Sequence, residues 1–343
     1  MPRFDNGRPG AHSQSGVLRI QQVDDFEEFR YIFGQWGGQF QQTSRGAFLG
    51  EARLYAGKSL RAFHADTNQA IFTRGLDASD FTTVIPINAG NAATHWRGRK
   101  LAIGQLLIKG PDVEYYNQTA RNTVIRGLLV PVRTIEQIAG EAAEVLIGKR
   151  SFSAIALRPE KAAMRRFEFY LGALLDPEQS KQGNDRSRLE QSCLSGLAEC
   201  LVDPKASDGV DILHSTKLEL LNGALEVMHQ RLADTLNSKL LCDELQVNAR
   251  WLRRVFKEAF GAGPVAFYRL MRLNKARRNL KSARGSEETV AEIARRYGFN
   301  RLGTFADEYR RQFGELPSET LGVRGYPGVK SESQRRSDVL RGA

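Results

Sequence analysis

From about Ala47 to Val132 the chain runs in short stretches rich in Val, Ile, Thr and aromatic residues, cut by Gly, Asn and Asp. The stretches are Phe48 to Tyr55, Ser59 to Ala65, Ala70 to Thr73, Thr82 to Ile87, Leu101 to Ile108, Val113 to Tyr116 and Thr123 to Val130. Such segments between turn signals predict strands, and this many short ones predict a β-sandwich or small barrel. From Thr134 the period becomes helical, first in Ile135, Ile138, Ala142, Val145 and Leu146, then in Phe167 to Leu175, then in Leu189, Cys193, Leu197 and Leu201. Leu218, Leu221, Leu225, Met228 and Leu232 follow in steps of 3, 4, 3 and 4. They line one helix face with a coiled-coil-like seam, to be covered either by the chain's own β-rich part or by a second copy. Residues 1–16 and 326–343, rich in small polar or basic residues, read as disordered tails.

The last hundred residues contain a repeat. Leu252, Phe256, Phe260, Gly261 and Pro264 recur 53 residues later as Phe305, Tyr309, Phe313, Gly314 and Pro317. Leu241, Cys242, Leu245 and Val247 recur 52 later as Ile293, Ala294, Tyr297 and Phe299. A turn between the two blocks absorbs the change of offset. Each copy reads as a short helix, a tight turn and a longer helix ended by Gly, which is a helix-turn-helix occurring twice. In the first copy Asn248 is the expected N-cap, and Leu252, Val255, Phe256, Ala259 and Phe260 turn inward. The opposite face carries Arg250, Arg253, Arg254 and Lys257, donors placed as a helix entering the major groove needs them for guanine edges and phosphates. In the second copy Val290, Ile293, Ala294 and Tyr297 face inward and Gly298 supplies the turn. Its longer helix offers Arg301, Leu302, Thr304, Ala306 and Asp307, with Arg310 and Arg311 near its end. Leu302 and Ala306 suit only apolar contact, and Asp307 would be repelled by phosphate unless paired, for example with Arg311 at i+4. One long helix, Pro264 to Ser282, joins the copies and would set two reading helices one DNA turn apart, roughly 34 Å.

Charge supports that division. The 343 residues have a net charge of +11. Residues 237–343 hold 22 basic against 12 acidic side chains, whereas residues 1–236 hold 28 against 27. A near-neutral sensing or assembly part joined to a basic part that meets a polyanion is the arrangement implied.

The double helix-turn-helix, with Gly298-Phe299, the later Phe313-Gly314-x-x-Pro317 and the long connector, resembles the DNA-binding domain of the AraC/XylS transcription regulators over about Leu236 to Val323. Arg272-Leu273-Asn274-x-x-Arg277-Arg278 and Leu302-Gly303-x-Phe305 resemble the ethanolamine operon regulators within that family, with a weaker similarity over Phe48 to Gly75. The resemblance implies an N-terminal cupin-like domain and RNA polymerase as a partner. It also implies base-contacting positions at Arg250, Arg253 and Arg254, and at Leu302, Gly303, Thr304, Ala306 and Asp307. The chain departs from the family pattern in having Gln246 for the usual turn glycine of the first unit and few polar readers on the second helix.

Catalytic chemistry is not evident. No two of His12, His64, His95, His214 and His229 lie within five residues of each other. No Cys-x-x-Cys, His-x-His or phosphate-binding glycine loop occurs, and Gly261-Ala262-Gly263 is a helix-end turn. His64 reads as a core or pocket-wall residue. Three cysteines make no disulfide framework and suit a reducing cytosol, and no apolar run reaches 18 residues.

The resulting expectation is an α+β chain. A cupin-like β-barrel or sandwich at 17–133 and a helical connector or dimerisation region at 134–236 precede a double helix-turn-helix at 237–325. Its expected work is sequence-specific DNA-binding transcription regulation in the cytoplasm, as a ligand-responsive activator without enzymatic activity, metal or cofactor. The expected partners are double-stranded DNA and RNA polymerase, with a small-molecule effector or a second copy of the chain for the N-terminal part, and no membrane. The DNA-binding set is Asn248, Arg250, Arg253, Arg254, Lys257, Arg301, Leu302, Thr304, Arg310 and Arg311. The alternatives are an enzyme-like cupin domain on a DNA tether, and a dimerising regulator with no effector.

Overall fold

The computed structural model describes residues 16–34, 38–76, 80–96, 98–111, 114–140, 154–181, 185–201, 216–234 and 236–322. The expected tails at 1–15 and 326–343, and the helical positions Ala142, Val145 and Leu146, lie outside these residues. The N-terminal half begins with β1 (Val17–Val23), α1 (Phe26–Gly34), β2 (Gly38–Gln42), β3 (Gly50–Ala56), β4 (Arg61–Thr67), β5 (Ile71–Leu76) and β6 (Phe81–Pro86). It continues with β7 (His95–Trp96), β8 (Arg99–Lys100), β9 (Leu106–Lys109), β10 (Glu114–Gln118), β11 (Thr123–Pro131), α2 (Val132–Ala139) and β12 (Ala154–Leu157). Helices follow: α3 (Lys161–Leu174), α4 (Glu178–Lys181), α5 (Arg186–Leu201), α6 (Thr216–Gln230), α7 (Ser238–Leu245), α8 (Ala249–Phe260) and α9 (Pro264–Ser282). The described chain ends with α10 (Val290–Arg296), α11 (Leu302–Phe313) and α12 (Pro317–Leu321).

The α+β division is as expected, but the strands form two antiparallel sheets and no closed barrel. Their orders are β1-β3-β4-β11-β6-β9-β12 and β2-β5-β10-β7-β8. The two-residue period sorts the larger sheet into two faces. On β4 and β11, Phe63, Leu129 and the half-buried Ile125 join the inner core, whereas Ala62, Leu128 and Val130 join the outer one. Helices α3 and α5 cover the outer face with Met164, Phe167, Leu171, Cys193, Leu197 and Cys200. Gly196 lets these helices approach closely, since a Cβ there would stand 3.1 Å from the Phe167 backbone. Inside, α1 contributes Phe26, Phe29 and Phe33 to the core. A buried carboxylate ties α5 to the β3–β4 turn: Glu190 accepts from the Tyr55 hydroxyl at 2.9 Å and from the backbone N–H groups of Lys58 and Ser59.

The leucine seam has a different partner from either one anticipated. Leu221, Leu225 and Met228 of α6 are buried with Leu241 of α7 and Leu252 and Phe256 of α8. The seam is thus covered by the first helix-turn-helix unit of the same chain. Among the described residues, no helix is long and apolar enough to cross a membrane.

Candidate nucleic-acid interface

The first unit is built from two capped helices. Asn237 caps α7 by accepting from Leu240 N–H at 2.9 Å, and Asn248 caps α8 by accepting from Trp251 N–H at 2.8 Å. Between them Gln246 takes the left-handed conformation (φ 53°, ψ 44°), so the turn is made without glycine. Its side chain donates to the Asp243 carbonyl at 2.6 Å, a local bond that helps hold a conformation unfavourable for a residue with a Cβ. Leu252, Val255, Phe256, Ala259 and Phe260 of α8 are buried, as the periodicity requires. Arg250, Arg253, Arg254 and Lys257 are exposed together, and among the described residues none carries an ion pair.

The second unit follows the same plan with different chemistry on its face. Thr289 and Glu292 form a capping box at α10. Gly298 (φ 69°) makes the turn, and a Cβ there would also stand 2.6 Å from the Ala233 carbonyl oxygen, so space and backbone both demand glycine. Arg301 is the N-cap residue of α11, and Leu302, Thr304, Arg310 and Arg311 are exposed. Arg311 donates to the Asp307 backbone carbonyl at 3.2 Å. Ala306 is half-buried.

The connector α9 departs most from a solvated basic helix. Arg272 and Arg277 are 7% and 5% exposed. Arg272 donates to the Tyr297 carbonyl and lies over the Phe299 ring at 4.6 Å, which fixes the second unit to the connector. Arg277 pairs with Glu315 and lies over Phe313 at 4.8 Å. Arg269 makes a two-pronged pair with Glu308 at 2.5 and 2.7 Å. Arg278 faces Glu27 at 3.5 Å, and Lys281 pairs with Asp25, both partners belonging to the N-terminal half. Burial pushes the Lys275 and Lys281 ammonium groups below their usual range.

A clamp between the two halves, invisible to local sequence reading, completes the arrangement. Asn274, 1% exposed on α9, accepts from Gln42 N–H at 2.9 Å and donates to Gln42 C=O at 3.0 Å. Gln312 of α11 donates to the Gln42 and Ser44 carbonyls at 3.2 and 2.9 Å, while its own backbone carbonyl accepts from the Gln42 side chain and Gly46 N–H, both at 3.0 Å. The smaller sheet also bears on the first unit. Phe72 of β5 meets Phe260 and Phe267 edge to face at 5.0 and 5.3 Å, and Tyr116 of β10 lies 6.1 Å from Phe260. The residues flanking these two, Ile71 and Thr73 on β5 and Tyr115 and Asn117 on β10, line a cavity between the sheets. One layer of strands is therefore both the wall of the cavity and the seat of α8 and α9.

Of the histidines, His64 is buried and accepts at Nδ1 from Arg126 Nε at 3.1 Å; burial, Arg126 and Arg53 push it down to about 4. His229 is likewise pushed down to about 4, by burial and then by Lys275 and Arg74. Among the described residues, no group of three or more His, Cys, Asp or Glu is placed to hold a metal ion.

Two capped helix-turn-helix units joined by a packed connector, the first with a basic stripe on its second helix, define a DNA-binding regulator, and comparison with known proteins agrees. Residues 241–322 match the family described as "Helix-turn-helix domain". A stretch of 75 residues is 41% identical to the probable thc operon regulatory protein of Rhodococcus erythropolis, covering 22% of this chain and 23% of that protein. Over 272 residues the chain is 22% identical to the XylDLEGF operon transcriptional activator 1 of Pseudomonas putida, covering 78% of this chain and 83% of that one. The structure of the AraC-like transcriptional activator CuxR aligns with 82% of this chain and 100% of its own at 14% identity, with a TM-score of 0.40. The protein is a DNA-binding transcription regulator with a helix-turn-helix domain.

Proposed function

We propose that the protein is a cytoplasmic, ligand-responsive transcription activator that reads duplex DNA chiefly with α8 and acts by binding, without catalysis. The observation that carries this reading is the exposed stripe of Arg250, Arg253, Arg254 and Lys257, without an ion pair among the described residues, beside a connector whose Arg272 and Arg277 are buried in internal contacts. Each guanidinium of the stripe is able to make a two-pronged contact to guanine, and Asn248 and Lys257 flank them toward phosphates. On α11, Arg301, Leu302 and Thr304 lie where a second groove would meet the helix start, with Arg310 and Arg311 toward the backbone. Methyl packing and phosphate contacts hold register but discriminate bases weakly. Specificity is therefore lopsided, with α8 reading and α11 positioning.

The functional division into 17–133, 134–236 and 237–325 is part of the same reading, with α6 joined to the DNA-binding part through its buried seam. Activation is supported by the Pseudomonas relative, a transcriptional activator, and RNA polymerase as a partner rests on the family resemblance. A cupin-like sensing role for the N-terminal half is supported by the cavity and its shared strand wall: a ligand that shifts β2, β5 or β10 acts directly on the seat of α8 and α9. The ethanolamine assignment and a homodimer rest on the family resemblance alone. The residues behind the former, Arg272, Asn274, Arg277 and Arg278, serve as internal ties and say nothing about an effector.

A base-substitution scan of the bound site tests the assignment. Arg250→Ala or Arg254→Ala relaxes preference at one or two positions in a single groove, and each lost contact removes about 1 to 3 kcal/mol of discrimination. Arg310→Ala weakens all sequences alike. Equal or larger base penalties under α11 would overturn the assignment.

A further inference from the structure

The cavity between the sheets measures about 120 Å3. Aromatic and aliphatic side chains, among them Phe29, Phe33, Phe40, Phe63 and Ile71, make up most of its lining. Apolar cavities of about 150 Å3 hold one benzene molecule, so the space admits a single ring with few further atoms. Threonine hydroxyls, Lys109, Trp96 and Asn117 bring polar groups into this lining. Trp96 on β7 and Asn117 on β10 face each other directly in antiparallel register, are 5% and 8% exposed, and both line the cavity. Among the described residues the Trp96 indole N–H has no acceptor and the Asn117 side-chain oxygen has no donor.

Opposed residues in an antiparallel pair have Cα atoms about 4.5 to 5.5 Å apart, close enough for one small group to bridge their side chains. Buried donors and acceptors are almost always satisfied, so a neighbouring orphan of each kind in a largely apolar cavity describes the group that belongs there. It must accept from Trp96 and donate to Asn117. A hydroxyl does both through one oxygen; a carboxylate has no proton for Asn117, and a hydrocarbon serves neither. Lys109 also lines the cavity, with Nζ 3.8 Å from the centre of the Tyr115 ring, and its ammonium group opposes a cationic ligand. We infer that the cavity takes a neutral one-ring molecule bearing a hydroxyl, a phenol-like ligand held between Trp96 and Asn117. This inference rests on the N-terminal half being the sensing half.

Calorimetric titration of the full chain with phenol, toluene and benzoate tests it. Phenol binds at least about tenfold more tightly than toluene, in line with one or two net hydrogen bonds. Trp96→Phe keeps a ring but loses the donor, and lowers phenol affinity about fivefold while leaving toluene unchanged. Asn117→Leu gives the same reading from the other strand if the first variant folds poorly. Equal affinity for phenol and toluene, indifference of phenol to both substitutions, tighter binding of benzoate than of phenol, or no binding of any probe overturns the inference. Duplex DNA affinity measured with and without phenol separates the two proposals: phenol that binds without altering DNA affinity upholds the ligand assignment and overturns the sensing role.

Discussion

Asn274→Ala removes one side chain that joins halves of the chain 232 residues apart. The wild-type amide makes three bonds: Gln42 N–H to its oxygen at 2.9 Å, and its nitrogen to Gln42 C=O at 3.0 Å and Leu270 C=O at 2.9 Å. After truncation Gln42 C=O still accepts from Gln312 at 3.2 Å, whereas its N–H loses its partner at a buried position. An orphaned buried donor costs roughly 1 to 3 kcal/mol, so the expected loss is about 2 kcal/mol. Asn274→Asp keeps the acceptor but turns a carboxylate oxygen toward Gln42 C=O, and destabilises more. Urea denaturation of the full chain, followed by tryptophan fluorescence, reads the effect as a lower midpoint or as separate melting of the two halves. A double-mutant cycle sharpens the argument. Asn274→Ala and Gln312→Ala each leave Gln42 C=O one partner, but together they leave it none of these two, so the pair is worse than additive by about 1 kcal/mol. A loss below about 0.5 kcal/mol for Asn274→Ala, with additivity in the cycle, would refute the clamp.

Other contacts yield independent expectations. Leu225→Ala, at a fully buried seam position, costs about 3 kcal/mol of stability, and light scattering finds the oligomeric state unchanged because the seam is filled within the chain. His64 is held at about 4 in the fold against 6.5 when unfolded. The unfolded chain therefore takes the proton first; this contribution to stability is intact above pH 6.5 and lost as pH falls toward 4, by on the order of 3 kcal/mol. His64→Gln flattens that part of a stability-against-pH curve. Gln246→Gly relieves the left-handed strain at the first turn but frees the unfolded chain and removes a local bond, for a net gain of about 0.5 kcal/mol in thermal denaturation.

The helix-turn-helix units were legible because two copies of one pattern vouch for each other. Matching apolar positions identified the buried faces of α8 and α11, and the cations opposite them are exposed. The N-terminal half was read less completely. β1 is half-exposed without clean alternation, and α1 is only nine residues long, so neither stood out from its surroundings. The leucine seam was visible but its partner was not: periodicity says that a helix face is apolar and leaves open what covers it. The Asn274–Gln42–Gln312 clamp had no local signal at all, because a side-chain amide paired with a distant backbone leaves no spacing to detect.

Net charge pointed to a polyanion correctly but overstates the cations free to meet it. Arg269, Arg277, Arg278 and Lys281 are counted among the excess cations of the C-terminal part, yet each faces a carboxylate of this chain. What α8 and α11 present to a polyanion is the smaller set Arg250, Arg253, Arg254, Lys257, Arg301, Arg310 and Arg311. Each phosphate neutralised contributes about −0.9 to the slope of log affinity against log salt, so these seven side chains of the clamped chain give a slope no steeper than about −6. Opening the clamp releases Arg278 and Lys281 from Glu27 and Asp25, while Arg277 stays paired with Glu315. Asn274→Ala should then bind DNA with a steeper salt dependence than the wild type while α8 keeps the same base preference. A slope unchanged by the substitution would mean that these cations stay engaged, or never reach the duplex, and that the clamp governs orientation alone.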